Sequence, residues 1–411
     1  MHGPSLVDPI MRRVCSILFV AVLCGTVIPA AAEAPRSIRI GYAISKTGPY
    51  VPGAETTTLP NYRLWVKDVN DAGGLTLKDG RRHPLEVIEY DDQSDPVEVQ
   101  KAIEKLATVD KVDFILPPWG THLNLVAAPF FNRYGYPQLC AAASVEQVAE
   151  LAKTSPSTFF ALGLPSQNIE GLVGILVELR AAGKIGNKVA MSYVADTFGT
   201  NLAAPARLAL KREKFDLAYD RTYPVGSQDM KPVIAGAAAS KADVFLAFSY
   251  PGDTFGIAAK AVELKFEPKV FFAAVGVAYP AFKERFGVDG VLGMGGWDAS
   301  LPALQAYFKR HVAVTGREPD RWVSPITYAT LQILQQAIER AGTLDRAAVL
   351  EQIKTGNFET QMGPLRYDGN MLDRHWDVGQ WQNGQFYGVA PASMRGARAL
   401  LFPKSPWHSI E

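Results

Sequence analysis

Residues 243–274, DVFLAFSYPGDTFGIAAKAVELKFEPKVFFAA, hold a complete structural unit. Asp243–Phe248 (DVFLAF) and Lys269–Ala274 (KVFFAA) are short runs rich in Val and Phe without polar alternation, as strands buried on both faces are. Between them Pro251–Leu264 follows a helical pattern. The same alternation extends upstream. Ser37–Ile44 (SIRIGYAI), Leu85–Tyr90 (LEVIEY), Asp113–Leu116 (DFIL) and Lys188–Val194 (KVAMSYV) read as strands. Asn61–Ala72, Pro96–Val109, Ser166–Ala182, Asn201–Lys214 and Asp229–Ser240 read as helices. Such alternation implies an α/β fold of parallel sheets with right-handed crossovers.

One sheet carrying every strand would be implausibly wide, so two Rossmann-like α/β lobes are expected. The first strand series ends near Phe159–Gly163 and a fresh one follows. Pro302–Thr315 and Pro325–Ala341 arrive without strong strands of their own and are read as returning to the first lobe. The expected organisation is an N-terminal lobe of residues 36–161 plus 295–361, a C-terminal lobe of 162–294 plus 362–391, and a surface tail of 392–411.

At the amino terminus Arg12 and Arg13 precede an apolar run, Val14–Ile28, and Ala30-Ala31-Ala32 follows. That is the layout of a secretory signal peptide over residues 1–32, with cleavage expected after Ala32. The run falls short of the roughly 20 apolar residues that span a membrane. Met11, directly before the arginines, is an alternative start. Cys24 raises a lipid-anchored alternative, although Leu23 is not the small residue such signals place before the cysteine. With Cys15 and Cys24 removed, Cys140 stands alone, and the exported chain has no intramolecular disulfide. The 42 Lys+Arg balance 41 Asp+Glu and no basic block is present, which argues against nucleic acid or an anionic membrane as partner. No second long apolar run follows, so the mature chain is expected in the periplasm without membrane insertion.

Catalytic signatures are missing. The sequence has no GxxxxGK[ST] phosphate loop, HExxH zinc helix or GxSxG elbow. Gly290–Gly296 (GVLGMGG) lacks the GxGxxG spacing and reads as a strand end or an interlobe hinge. His83, His122, His311, His375 and His408 are scattered, so neither a metal nor a cofactor is expected.

Ligands of open parallel sheets bind beyond the carboxyl ends of the strands. Those ends lead into Ser45–Tyr50, Pro117–Thr121 and Ala141–Ser144 in the first lobe. In the second lobe they lead into Ala195–Gly199, Ser249-Tyr250 and Val275-Gly276. The first set offers hydroxyls and backbone amides, the second aromatic rings, which suits a ligand with an anionic end and an apolar body. Thr121 and Ser144 each stand before a helical pattern, where free N–H groups attract a carboxylate. Ordinary capping explains both as well: Thr121 is a good N-cap by type, and Ser144 with Gln147 spells an S-x-x-Q capping box. Trp119, Phe198 and Tyr250 taken singly are equally compatible with core or lobe-surface packing.

At these loops the chain resembles the branched-chain amino-acid (leucine/isoleucine/valine) binding proteins of ABC transporters, the type I periplasmic binding fold. Gly41–Gly53 (GYAISKTGPYVPG), Val66–Leu75 (VKDVNDAGGL), Glu89–Pro96 (EYDDQSDP), Ala195–Gly199, Tyr328–Leu331 (YATL) and Met362–Asp368 (MGPLRYD) carry the resemblance over nearly the whole mature chain. The resemblance implies a three-crossing hinge near Ala161–Pro165, Leu292–Trp297 and Gln361–Leu365. It also implies a ligand carboxylate held by Thr121, Ala142 and Ser144, with Phe198 and Tyr250 closing from the other side. Tyr50, Trp119, Gly120 and Val275 complete the expected site.

One departure stands out. Where amino-acid binders of that family place an acid to pair with the ligand ammonium, this chain matches Val275. A buried ammonium without a partner is costly. An aromatic or other hydrophobic carboxylic acid is therefore favoured. An amino-acid ligand paired instead with Asp253 or Asp298 stays open. The expected partners are the small carboxylate and an inner-membrane ABC permease, with the binding protein a monomer. A sensory module feeding a receptor is the second class considered, and an exported enzyme the third.

Overall fold

The computed structural model describes residues 35–373 and 376–407. The expected signal peptide, the alternative start and the last four residues lie outside them. The first lobe is built on β1 (Ile38–Ile44), β2 (Leu85–Asp91), β3 (Phe114–Leu116), β4 (Gln138–Cys140) and β5 (Thr158–Phe160). Then come β6 (Lys188–Val194), β7 (Asp216–Tyr223), β8 (Val244–Phe248), β9 (Val270–Ala273) and β10 (Leu292–Met294). The chain finishes with β11 (Tyr367–Asp368), β12 (Met371–Leu372), β13 (Val378–Gln382) and β14 (Gln385–Ala390).

In the first lobe the ladders run β2-β1-β3 and β4-β5-β12-β11, with β3 beside β4. The second lobe is one sheet in the order β7-β6-β8-β9-β10-β13-β14. Pairing from β7 to β10 is parallel and pairing from β10 to β14 antiparallel. In both lobes the strand order reverses beside the first strand, at β1/β3 and β6/β8. There the helices leave the sheet on opposite faces and a crevice opens. The strands form where the apolar runs stand: every residue of β8 is buried, and Phe245, Leu246 and Phe248 are fully enclosed.

Capping decides several helix starts. Asp95 accepts from the N–H groups of Val97 and Glu98 and opens the helix Pro96–Thr108. Asp196 does the same for Gly199, so the next helix runs Thr197–Arg212 and begins ahead of the expected Asn201. The helices Pro302–Thr315 and Val323–Ala341 pack on Leu59–Asp71 of the first lobe. Arg310 pairs with Asp68 and Asp71, Tyr328 Oη donates to Asp68 at 2.6 Å, and Trp65 Nε1 to Gln335 at 3.2 Å.

Two expectations about the carboxyl-terminal part change. The boundary at Met362 comes too early: Met371 of β12 pairs with Phe160 of β5, so the segment through Leu372 joins the first lobe's ladder. The chain enters the second sheet at β13. The stretch after residue 391 is also more than a surface tail. Leu401 exchanges two hydrogen bonds with the Gln380 side chain, and the Lys404 ammonium is buried against Glu267 with Trp407 over it. The β13–β14 hairpin, β7, and the helices Pro280–Phe286 and Arg346–Thr355 were not anticipated. Cys140 is a free, buried thiol. No helix of the described residues is long and apolar enough to cross a membrane.

Arg346 fastens the last of those helices to the first lobe. Its guanidinium donates to the carbonyls of Val112, Asp113 and Tyr134 and lies 3.8 Å over the Tyr136 ring. Arg346→Ala removes its bonds to Asp113 O and Tyr134 O and leaves Val112 O only the Tyr136 hydroxyl, and hydrogen bonds from charged groups contribute about 1.5–3 kcal/mol. A loss of roughly 3 kcal/mol is expected, read as a lowered urea midpoint with an unchanged slope.

Candidate functional site

The carboxyl ends of β1, β3, β6 and β8 converge. After β3 the chain turns through Gly120, whose φ of +91° suits glycine, into the helix Thr121–Tyr134. Just before this turn the Trp119 ring lies flat on Gly53, where a Cβ would come within 2.0 Å of Cζ2. Its indole Nε1 donates to Thr57 Oγ1 at 3.0 Å. Thr121 is the first helical residue and not the cap, because Gly120 holds that position.

Ser144 does not form the capping box either. Gln147 occupies the N-cap of the helix Val148–Thr154 with no side-chain cap bond. Ser144 is used elsewhere. Its backbone N–H donates to Thr121 Oγ1 at 3.2 Å, and its own hydroxyl donates to Gly163 O at 3.2 Å. The two hydroxyls thus tie the loops after β3 and β4 to each other and to the first lobe crossing. Both side chains are 1% exposed.

Facing them from the second lobe, Phe198 and Tyr250 stack with ring centroids 5.0 Å apart and planes 18° from parallel. Tyr250 also meets Trp119 at 5.3 Å and Tyr50 at 5.3 Å, so rings of both lobes form one aromatic cluster. Under it lies a cavity of about 20 Å³, space for about one water molecule. Trp119, Thr121, Ala142, Ser144, Phe198, Tyr250 and Val275 line it, together with Leu162, Trp322 and Val323. Seven of the nine expected residues therefore meet at one place. Tyr50 is not a wall; it backs Trp119 and Tyr250. Gly120 shapes the turn but is not among the lining residues. Leu162, Trp322 and Val323 were missed. Nothing in their apolar surroundings distinguishes them in sequence from core residues.

No ionisable carboxylate or cation is among those lining residues. Val275 lines the cavity, its N–H donating to Ser249 O and its carbonyl accepting from Thr254. Asp298 is elsewhere: it accepts from Ser300 and pairs with Arg395 beside Trp297 and Met362. Asp253 sits behind Tyr250, accepting from the Tyr250 N–H and the Tyr223 hydroxyl, both at 3.3 Å. It borders a groove of about 430 Å³ that reaches Tyr250 from outside, between Pro49 and Pro52 of the first lobe and Met230 and Phe255 of the second. Asp196, the helix cap, also receives the Tyr250 hydroxyl at 2.6 Å. Burial raises the pKa of Asp196 and pushes that of Asp253 up to about 6. Among the described residues no cluster of three or more His, Cys, Asp or Glu could hold a metal.

This arrangement of two doubly wound lobes enclosing a site between their strand ends has a counterpart among known proteins. A family model described as periplasmic binding protein matches residues 37–385. The chain belongs to that family. This periplasmic binding protein is 21% identical over 399 residues to the Leu/Ile/Val-binding protein homolog 7 of Brucella melitensis, covering 90% of this chain and 96% of that one. Among solved structures it is similar to LivJ of Streptococcus pneumoniae, a branched-chain amino acid transporter substrate binding protein in complex with isoleucine. The TM-score is 0.73 at 18% identity, covering 87% of this chain and 100% of that one. It is equally similar to a solute binding protein of an ABC transporter from R. palustris in complex with benzoate. There the TM-score is 0.74 at 16% identity, covering 89% and 99%. The type I periplasmic binding fold follows.

The raised value of Asp253 sets a pH dependence. A folded-state pKa near 6 against an ordinary 3.8 means that the native protein holds this proton more tightly than the unfolded chain. The resulting stabilisation is complete below about 3.8 and is lost as pH rises through about 6. Asp92 and Asp320, pushed the same way by burial, add to the slope. Asp253→Asn is expected to remove on the order of 2 kcal/mol of the stability change between pH 7 and 4. Urea unfolding of both proteins across that range measures it.

Proposed function

We propose that this chain is the extracytoplasmic binding component of an ABC importer that takes a small aromatic or hydrophobic carboxylic acid lacking an α-amine. The observation that carries this reading is the lining of the cleft cavity: hydroxyls and backbone on one side, rings on the other, and no carboxylate to receive an ammonium. The acid's carboxylate docks at Thr121, Ala142 and Ser144, where charge-assisted hydrogen bonds contribute most. Its apolar body enters between Trp119, Phe198 and Tyr250, which bury flat rings well.

The cavity of about 20 Å³ is far below the size of sites that enclose small organic molecules. Entry therefore requires the lobes to part at their crossings, with the ring cluster opening toward the groove at Tyr250. Re-closure over the ligand would present a monomeric, loaded form to an inner-membrane permease. Hinge bending is assigned to the first two crossings, Ala161–Pro165 and Leu292–Trp297. The periplasm is the compartment this function requires.

A second reading, an amino-acid ligand, is favoured by the Leu/Ile/Val-binding relative and the isoleucine complex of LivJ. Asp196 and Asp253 stand directly behind Tyr250, and a rotation of that ring would bring a carboxylate toward the cleft.

A thermal-shift panel of benzoate, 4-hydroxybenzoate, cinnamate, leucine and isoleucine separates the two, since a ligand raises the melting temperature by mass action. The aromatic acids are expected to stabilise the protein, and stabilisation by leucine and isoleucine alone would reject the favoured reading. Thr121→Val and Ser144→Ala are each expected to weaken the acid by about ten- to a hundredfold in calorimetric titration, the loss of one hydrogen bond to a charged group.

A further inference from the structure

Several described side chains bury a polar atom without a hydrogen-bond partner, and of these Trp322 is the one that also lines the cleft cavity. Before a ligand enters, the other side-chain donors around it are bonded within the protein, the Thr121 hydroxyl weakly to Ser144 O at 3.5 Å, and those of Thr121 and Ser144 would exchange these partners for the ligand carboxylate. Trp119 Nε1 donates to Thr57, the Tyr250 hydroxyl to Asp196, and the Ser144 hydroxyl to Gly163. The indole N–H of Trp322, a residue 2% exposed, has given up solvent and received nothing in return. Such orphaned donors are rare in folded proteins, and one that lines a cleft calls for an explanation.

The ring is also fixed in place. Trp322 precedes the helix Val323–Ala341, and the buried Asp320 carboxylate accepts from the N–H groups of Trp322, Val323 and Ser324 at 3.2, 2.9 and 2.7 Å. On the side of the second crossing the ring lies against Gly295. That residue has φ of +93°, and a Cβ there would come within 2.0 Å of Trp322 Cγ. The indole is thus clamped between a helix start and a lobe crossing, and its donor is set before any ligand arrives. A pre-positioned donor costs no ordering on binding.

We infer that Trp322 is a specificity-determining residue of the cleft, whose indole N–H donates to an acceptor oxygen of the bound ligand. This deepens the carboxylic-acid reading and rests on it for the ligand class. An acid with an oxygen acceptor at that position satisfies the indole. A ligand that turns an ammonium or a bare C–H toward it leaves the donor unpaired, and sites of this kind discriminate strongly against such analogues.

The test compares wild type with Trp322→Phe, which keeps an aromatic ring and removes the N–H. Affinities for benzoate, 4-hydroxybenzoate and isoleucine are measured by calorimetry. The indole Nε1–H resonances of the wild-type protein are assigned by triple-resonance NMR, and that of Trp322 is followed. The best ligand is expected to bind Trp322→Phe about ten- to a hundredfold more weakly. The Trp322 resonance is expected to move downfield on saturation. A variant that binds as tightly as wild type, or a Trp322 resonance unmoved at saturation, overturns the inference. Should the variant fail to fold, the resonance in wild type decides alone. If isoleucine binds and the aromatic acids do not, the carboxylic-acid reading falls. The same two measurements with isoleucine then decide the role of Trp322 separately.

Discussion

The aromatic cluster between the lobes is the contact on which the site depends. Tyr50 and Trp119 come from the first lobe, Phe198 and Tyr250 from the second, and Tyr250 touches all three others. Burying such rings is favourable in itself, and each pair adds a little through its geometry. Under the proposed reading the same rings would surround the ligand's apolar body, so the protein closes on itself by the forces that would hold an acid. Gly53 is what lets the cluster form: its missing side chain provides the floor on which Trp119 lies.

Polar groups around the cluster are arranged in two ranks. The inner rank lining the cavity is uncharged. The outer rank, Asp196 and Asp253, stands one side chain further back and is spanned by Tyr250, whose hydroxyl and N–H bond to one each. Burial raises the pKa of both carboxylates, so their negative charge is held at a cost. That cost bears on ligand choice, because an anion brought into the cleft would meet repulsion if these groups were closer.

Much of this was legible in sequence where one physical pattern dominates. The unbroken apolar runs of β8 and β9 announced a buried parallel sheet, and the strand-end rule then pointed to the loops holding Thr121, Ser144, Phe198 and Tyr250. Reading failed where a residue type serves several purposes. Ser144-x-x-Gln147 has the spelling of a capping box, yet the helix starts later and the serine bonds across to Gly163. Val378–Ala390 mixes Gly, Gln and Asn among its aromatics, and its two antiparallel strands escaped a search tuned to parallel ones. The pairing of Met371 with Phe160 joins segments far apart in the chain, which no local pattern encodes. Trp322 is invisible for the plainest reason: a tryptophan at a helix start reads as packing, and only coordinates show which of its atoms go unmatched.

The hydrogen bond from Ser144 to Gly163 links two jobs that could have been kept apart. Its donor is a wall of the cavity and its acceptor belongs to the first strand of chain linking the lobes. Evolution cannot retune one without disturbing the other. If the cavity holds the cargo as proposed, exchanging the serine to suit a different one would also loosen or stiffen the pivot, so selectivity and release rate would drift together.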